Sequence, residues 1–171
     1  MMARTIRLVG PLAAAWLVAG CAEAPPPVGP PAPPALAGAW RSSVQFQNGA
    51  FAPIKDLEFM YVFNIGGTMT ESSNYDGAPP VPPAYGIWRR LGPNEFEAKY
   101  EYYATAPAAA EDFMKGAGFP PSGRGAFVER ITVSTDGQTF SSTIKYDAFD
   151  RKGEPIEGGG EATGNAVRIQ F

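Results

Sequence analysis

Apolar and polar positions alternate with a period of two through most of the chain beyond residue 36. Over residues 38–46 this places Trp40, Ser42, Val44 and Phe46 on one side, because successive side chains of a strand point to opposite faces. Residues 57–64 gather Leu57, Phe59, Tyr61 and Phe63, with Glu58 and Asn64 opposite. Residues 95–102 alternate most cleanly. Glu95, Glu97, Lys99 and Glu101 take the odd positions, and Phe96, Ala98, Tyr100 and Tyr102 the even ones. One wet face and one buried face follow.

Turn signals separate these runs. Asn48-Gly49, Gly66-Gly67, Gly92-Pro93-Asn94, Asp136-Gly137 and residues 150–153 each offer the backbone freedom that a tight connection needs. Residues 68–73 read as a shorter, more polar strand, and 85–91 as another that carries Gly86-Ile87-Trp88. Residues 127–133 and 140–149 read as a hairpin, and the last strand runs from 156 with a corner at Gly158-Gly159-Gly160. Pro79, Pro80, Pro82 and Pro83 form a loop that cannot join a ladder.

Residues 105–119 break the rhythm. Thr105 is placed to cap a short helix, with Pro107 near its first turn, residues 108–114 inside it and Gly116 to stop it. The whole pattern predicts an all-β fold: an antiparallel up-and-down barrel of about eight strands, with one short helix in an insertion. A two-sheet β-sandwich is the alternative.

The first 35 residues follow no such pattern. Arg4 and Arg7 precede an apolar run over residues 8–19, which ends in Val18-Ala19-Gly20-Cys21. Charged start, short apolar stretch and small residues describe a secretory signal. The run is too short for a spanning helix, which needs about 20 residues. Residues 25–34 hold seven prolines, which permit neither helix nor central strand and predict an extended spacer. The expected organisation is a signal peptide over 1–20, a lipidated Cys21 with a proline-rich linker to 35, and a barrel domain over 36–171.

Two resemblances accompany these residues. Val18-Ala19-Gly20-Cys21 resembles a bacterial lipobox, which implies that Cys21 is lipidated and anchors the chain to the cell envelope. Ala22 after it implies the periplasmic face of an outer membrane where there are two membranes. Gly38-x-Trp40 on the first strand, with Arg168 on the last, resembles the calycin or lipocalin-type arrangement. There the tryptophan plugs the barrel floor and the arginine packs across its ring. Residues 63–68, Gly86-Ile87-Trp88 and the late Asp-Gly hairpin extend the likeness to small bacterial secreted barrels.

Composition narrows the chemistry. The chain has no histidine, which removes the commonest general base and zinc ligand, and its one cysteine is Cys21. Loss of Arg4 and Arg7 with the leader takes the net charge from −3 to −5, which disfavours nucleic acid. No phosphate-cradling glycine loop is present, Asp147 and Asp150 read as solvated turn carboxylates, and no cofactor or metal is expected. Glu129-Arg130 puts one charge on each face of a strand, and the inward one would need a partner such as Arg168 or a tyrosine.

The aromatic interior is the remaining candidate. Phe59, Tyr61, Phe63, Trp88, Tyr100, Tyr102 and Tyr146 are candidates to line a pocket for a small apolar or aromatic ligand. An eight-stranded barrel is barely wide enough for its own side chains, so this many large rings favours a substantially filled core. Binding of such a ligand, beneath a cap formed by residues 105–123, is the leading expectation, and no catalysis is expected. A protein-contact or inhibitor module acting through its loops is the alternative, and a cyclase-type barrel enzyme stands third.

Lipidation gives the first test. Cys21→Ser is expected to move the protein from the membrane pellet to the soluble fraction after a salt wash, and retention in the pellet would rule out a lipid anchor.

Overall fold

Eight antiparallel strands, each bonded to the next and the last to the first, close into a barrel. The computed structural model describes residues 35–75, 81–116 and 118–171. The strands among them are β1 (Gly38–Phe46), β2 (Leu57–Phe63), β3 (Thr68–Ser73), β4 (Ala84–Arg90), β5 (Glu95–Thr105), β6 (Pro121–Val133), β7 (Thr139–Asp150) and β8 (Pro155–Arg168). A short helix, α1 (Ala110–Met114), lies between β5 and β6. Cys21, the leader before it, the spacer up to residue 34, and Pro79 and Pro80 lie outside the described residues.

Closure separates a barrel from a sandwich. β1 pairs with β8 from Trp40–Arg168 through Phe46–Ala162, so no strand edge stays open and the two-sheet alternative is excluded. Alternation then decides what lies inside. β2 turns Leu57, Phe59, Tyr61 and Phe63 inward, all buried. Each contributes about 1.5–3 kcal/mol by leaving water. Over residues 162–166, β8 turns in only Ala162, Gly164 and Ala166. Eight strands enclose little more than their own side chains. Large rings from one wall therefore require small residues on another.

The floor is built around Trp40. Its indole is fully buried and donates from Nε1 to the Leu36 carbonyl at 2.8 Å. Arg168 lies across the ring, with its guanidinium carbon 4.1 Å from the ring centre. The same guanidinium donates to the carbonyls of Gly137 at 2.7 Å and Ala37 at 2.8 Å, and to that of Ala35. Gly38 makes this possible. Its φ is +131°, and a Cβ there would sit 2.5 Å from Arg168 Nη1. The Gly-x-Trp pattern thus has a steric reason, and the closed barrel is consistent with a calycin-like fold.

The insertion differs from its expected form. Thr105 does not cap a helix: it ends β5, paired with Pro121 after a register shift at Ala104. The Ala106 amide donates to the Pro120 carbonyl at 2.9 Å. Hairpin pairing outcompetes the cap because β6 starts at Pro121, before the expected residue 127. The departure shrinks to a hairpin tip that carries α1, which Gly116 ends at φ +87°. Met114 is 86% exposed there, so it caps nothing. The corner at residues 158–160 appears as expected, with Gly158 at φ +117° and a β7–β8 register shift after Tyr146.

Truncating the floor tests this placement. Trp40→Ala is expected to cost about 3–5 kcal/mol in urea denaturation. Tyr103→Ala, on a side chain 81% exposed, is expected to stay within about 0.5 kcal/mol of wild type.

Candidate functional site

Strand polarity puts the turns after β2, β4 and β6 at the floor. The opposite end, the mouth, is formed by the ends of β1, β3, β5 and β7 and the starts of their partners. Phe51, on the loop between β1 and β2, lies across it. Its ring centre is 5.3 Å from that of Phe46, 5.0 Å from that of Tyr146 and 6.2 Å from that of Tyr75. The triple-glycine bend holds this loop down. Gly158 accepts from the Ala50 amide at 3.2 Å, and the Glu161 amide donates to Asn48 Oδ1 at 2.9 Å.

Beneath Phe51 is a crevice of about 20 Å³, walled by Phe46, Phe59, Tyr102 and Phe127 and reached by Glu71. That is room for about one water. It is far below the roughly 300 Å³ of a preformed small-molecule cavity. The barrel is filled.

What fills its middle is unexpectedly polar. Glu129 is wholly buried and Glu71 is 6% exposed. Both project inward from strands whose alternation leaves them no other direction. Tyr61 lies directly across from Glu71 in the β2–β3 ladder. Tyr100 donates its hydroxyl to Glu129 Oε2 at 2.9 Å. Tyr61 and Ser142 turn their hydroxyls toward the same carboxyl, close enough to favour its charged form. Only Tyr100 meets hydrogen-bond geometry. Glu71 Oε1, Glu129 Oε1, Tyr61 Oη and Ser142 Oγ are buried without a hydrogen-bond partner. Such atoms are few in folded proteins and point to a role beyond packing.

Burial sets the protonation of this belt. It pushes the Glu71 carboxyl up to about 8, with the charge of Glu129 adding to the rise. Burial raises Glu129 to about 6, while the hydroxyls of Ser142, Tyr100 and Tyr61 hold the rise back. Tyr61 and Tyr100 are pushed well above the usual tyrosine range, by burial first and then by Glu129. Toward the mouth, the hydroxyls of Tyr102 and Tyr146 meet at 2.9 Å. Their rings straddle Gly125 of β6, where a Cβ would lie 2.3 Å from Tyr102 Cε1 and 2.7 Å from Tyr146 Cε2.

The basic side chains serve other places. Arg130 leaves Glu129 behind and points outward to Glu97 Oε2 at 2.8 Å. Arg89 meets Glu97 Oε1 at 2.6 Å. Glu97 therefore lies on the outer face yet is covered, a correction to the fully wet face expected for β5. Its carboxyl is held below the usual range, first by the Arg89 hydrogen bond. The partner of Glu129 is a tyrosine and not Arg168, which is committed to the floor. Asp150 accepts from the amides of Lys152 and Glu154, closing a turn.

Among the seven candidate lining residues, Phe59 and Tyr102 wall the crevice. Tyr61 and Tyr100 belong to the polar belt below it. Tyr146 stands at the rim. Phe63 and Trp88 lie at the floor, where Trp88 donates to the carbonyls of Asn64 at 3.0 Å and Thr68 at 3.2 Å. β3 reads as merely polar, which hides the inward place of Glu71. The inward parity of Met69 in the same strand, two residues before, was the available signal. No family model matches the sequence, and no curated protein matches it either.

The buried carboxyls predict an inverted pH dependence. With its pKa raised from 4.5 to about 8, Glu71 keeps in the folded state a proton that the unfolded chain releases. Stability therefore falls as pH rises between those values and levels off above them. Glu129, raised to about 6, adds a loss of the same sign between 4.5 and 6. Glu71→Gln cannot titrate, so urea denaturation should find it more stable than wild type by about 3 kcal/mol at pH 7 and by less than about 1 kcal/mol at pH 5. A gap that does not widen with pH would mean that Glu71 is ionised in the folded protein.

Proposed function

We propose that this chain is an envelope lipoprotein, anchored through Cys21, whose lipocalin-like barrel binds a small ligand at its mouth. It binds and does not catalyse. The observation that carries the reading is the crevice under Phe51, with aromatic walls and a buried, unpartnered carboxyl at its base. Four aromatic walls supply apolar contact, and the polar group at the base fixes orientation, the usual division of labour in a small-molecule site. The ligand is therefore an apolar or aromatic body with one polar end. Its polar end enters the crevice, and its body rests on the Phe51 rim. Ala22 after Cys21 supports attachment on the periplasmic side of an outer membrane where there are two membranes.

The filled interior favours a second reading, a protein-contact module. Met60, Val62, Tyr85 and Ile87 are each 45–65% exposed on the outer face of β2 and β4, which gives a partner an apolar surface to cover.

Native mass spectrometry of the full chain, extracted from its membranes in mild detergent, separates the two. The expected result is a co-purifying small molecule that Phe51→Ala loses. A bound protein in its place, with an unliganded barrel, would overturn ligand binding in favour of the second reading.

A further inference from the structure

The polar belt contains two carboxyls and, among the described residues, no buried lysine or arginine to answer them. Arg89 and Arg130 are spent on Glu97, Arg124 on Glu101, Lys145 on Asp147, and Arg168 on the floor carbonyls. Building two acids into an aromatic barrel without a cation costs stability at neutral pH. A ligand that brings the cation offsets that cost.

We infer that the Glu71 end of the crevice is a site for a primary ammonium group carried on an apolar tail. Glu71 receives the ammonium, and Glu129 stands behind it as a second negative group. This rests on the reading of the barrel as a small-ligand binder and names the chemical class of the ligand.

Three features of the site select that class. An ammonium group only donates hydrogen bonds, and the crevice is lined by the Glu71 carboxyl, with the unpartnered oxygens Glu129 Oε1 and Tyr61 Oη in the belt behind it. The void is about 20 Å³, which admits a head the size of a water or an ammonium and nothing as broad as a planar guanidinium. The walls are the rings of Phe46, Phe59, Tyr102 and Phe127, whose faces attract a cation while their bodies accept the tail.

The exchange balances in charge. The ammonium enters with its positive charge, and the Glu71 carboxyl gives its proton to solvent. The carboxyl O–H bond breaks, an O–H bond to a solvent base replaces it, and the net charge of the site is unchanged, since Glu129 is negative before and after. The titratable groups that interact with Glu71 are Glu129 from β6, Tyr61 from β2, and Tyr100 and Tyr102 from β5. Burial raises all three tyrosines above their usual range, so they stay neutral at pH 7 and the released proton comes from the carboxyl pair.

The test uses the full chain as the Cys21→Ser variant, so that no lipid or detergent competes for the probes. The probes are 2-phenylethylammonium chloride and its uncharged analogue 2-phenylethanol, compared by titration calorimetry in two buffers of different ionisation heat. The ammonium should bind one site at least roughly tenfold more tightly than the alcohol. At pH 7 it should release about one proton per molecule bound. Glu71→Gln should weaken the ammonium by roughly tenfold or more, leave the alcohol unchanged and abolish the proton release.

Equal affinities for the two probes, or an unchanged ammonium affinity in Glu71→Gln, would overturn the ammonium site and leave ligand binding intact. If neither probe binds while the membrane-extracted protein carries a small molecule, the ammonium inference fails alone. If neither probe binds and the extracted protein carries none, both readings fail.

Discussion

The contact between Arg168 and Trp40 is the constraint on which the barrel depends. An eight-stranded meander closes only if its last strand finds its first, and those strands are separated by the whole domain. Loop-closure entropy opposes that meeting, though it grows only slowly with length. Arg168 offsets it with fixed, planar donors that reach three backbone carbonyls, two before β1 and one in the β6–β7 turn. One side chain thus ties three segments together, and the indole beneath it seals the end. A lysine could not do the same, because a single ammonium cannot span donors in a plane while lying flat on a ring. Gly38 is part of the device, since only the missing Cβ leaves space for the guanidinium.

Closing the floor fixes how the interior is shared. Trp40, Phe63, Trp88, Phe96 and Phe140 occupy the sealed end, and Phe46, Phe59, Phe127 and Tyr146 occupy the mouth. Between them the walls contribute Ser42, Ala98, Ser142 and Gly164, whose small volume leaves room for Tyr61 and Tyr100 to cross the barrel. Those crossing rings bring hydroxyls into the centre, and a hydroxyl in a dry interior needs a partner. Glu129 supplies one for Tyr100. It does not satisfy Tyr61, and Glu71 opposite Tyr61 adds a further unpaired oxygen. Packing alone would be served by phenylalanine and leucine at these places, so the belt is an excess over what stability asks.

Much of the fold was legible because period two is a strong signal when one face is wet. β1, β2 and the first part of β5 were assigned inward residues that the structure buries, and turn glycines marked most connections. Two kinds of feature were not legible. Thr105 carries both helix-cap and strand preferences, and only the long-range pairing with Pro121 decides between them. Glu71 and Glu129 are polar residues at inward parity. Alternation alone assigns such a position to the surface or leaves it open, as at Glu129-Arg130, where either side chain could face inward. Trp40 with Arg168 was legible as a motif, whereas its reason, three carbonyls and a missing Cβ, exists only in three dimensions. The cluster of interior rings was also legible, but not its division into floor, belt and rim, because that depends on strand tilt.

The triple-glycine bend links the mouth to the same logic. A strand that continued straight past Gly160 would carry side chains into the loop between β1 and β2: a Cβ at Gly160 falls 2.4 Å from the Asn48 carbonyl oxygen, and one at Gly49 falls 2.1 Å from that of Gly159. Glycine at both places lets two backbones touch, and the hydrogen bonds of Gln47, Ala50 and Asn48 then hold the loop against β8. Phe51 is carried into position by that contact. The bend is therefore not a defect in β8 but the seat of the residue that covers Glu71. Without it the crevice would open to bulk water, and the high dielectric would relieve the burial that keeps Glu71 protonated. The glycines at 158–160 and the carboxyl at 71 are far apart in sequence and belong to one arrangement, in which a backbone contact at the rim sets the electrostatics of the barrel's centre.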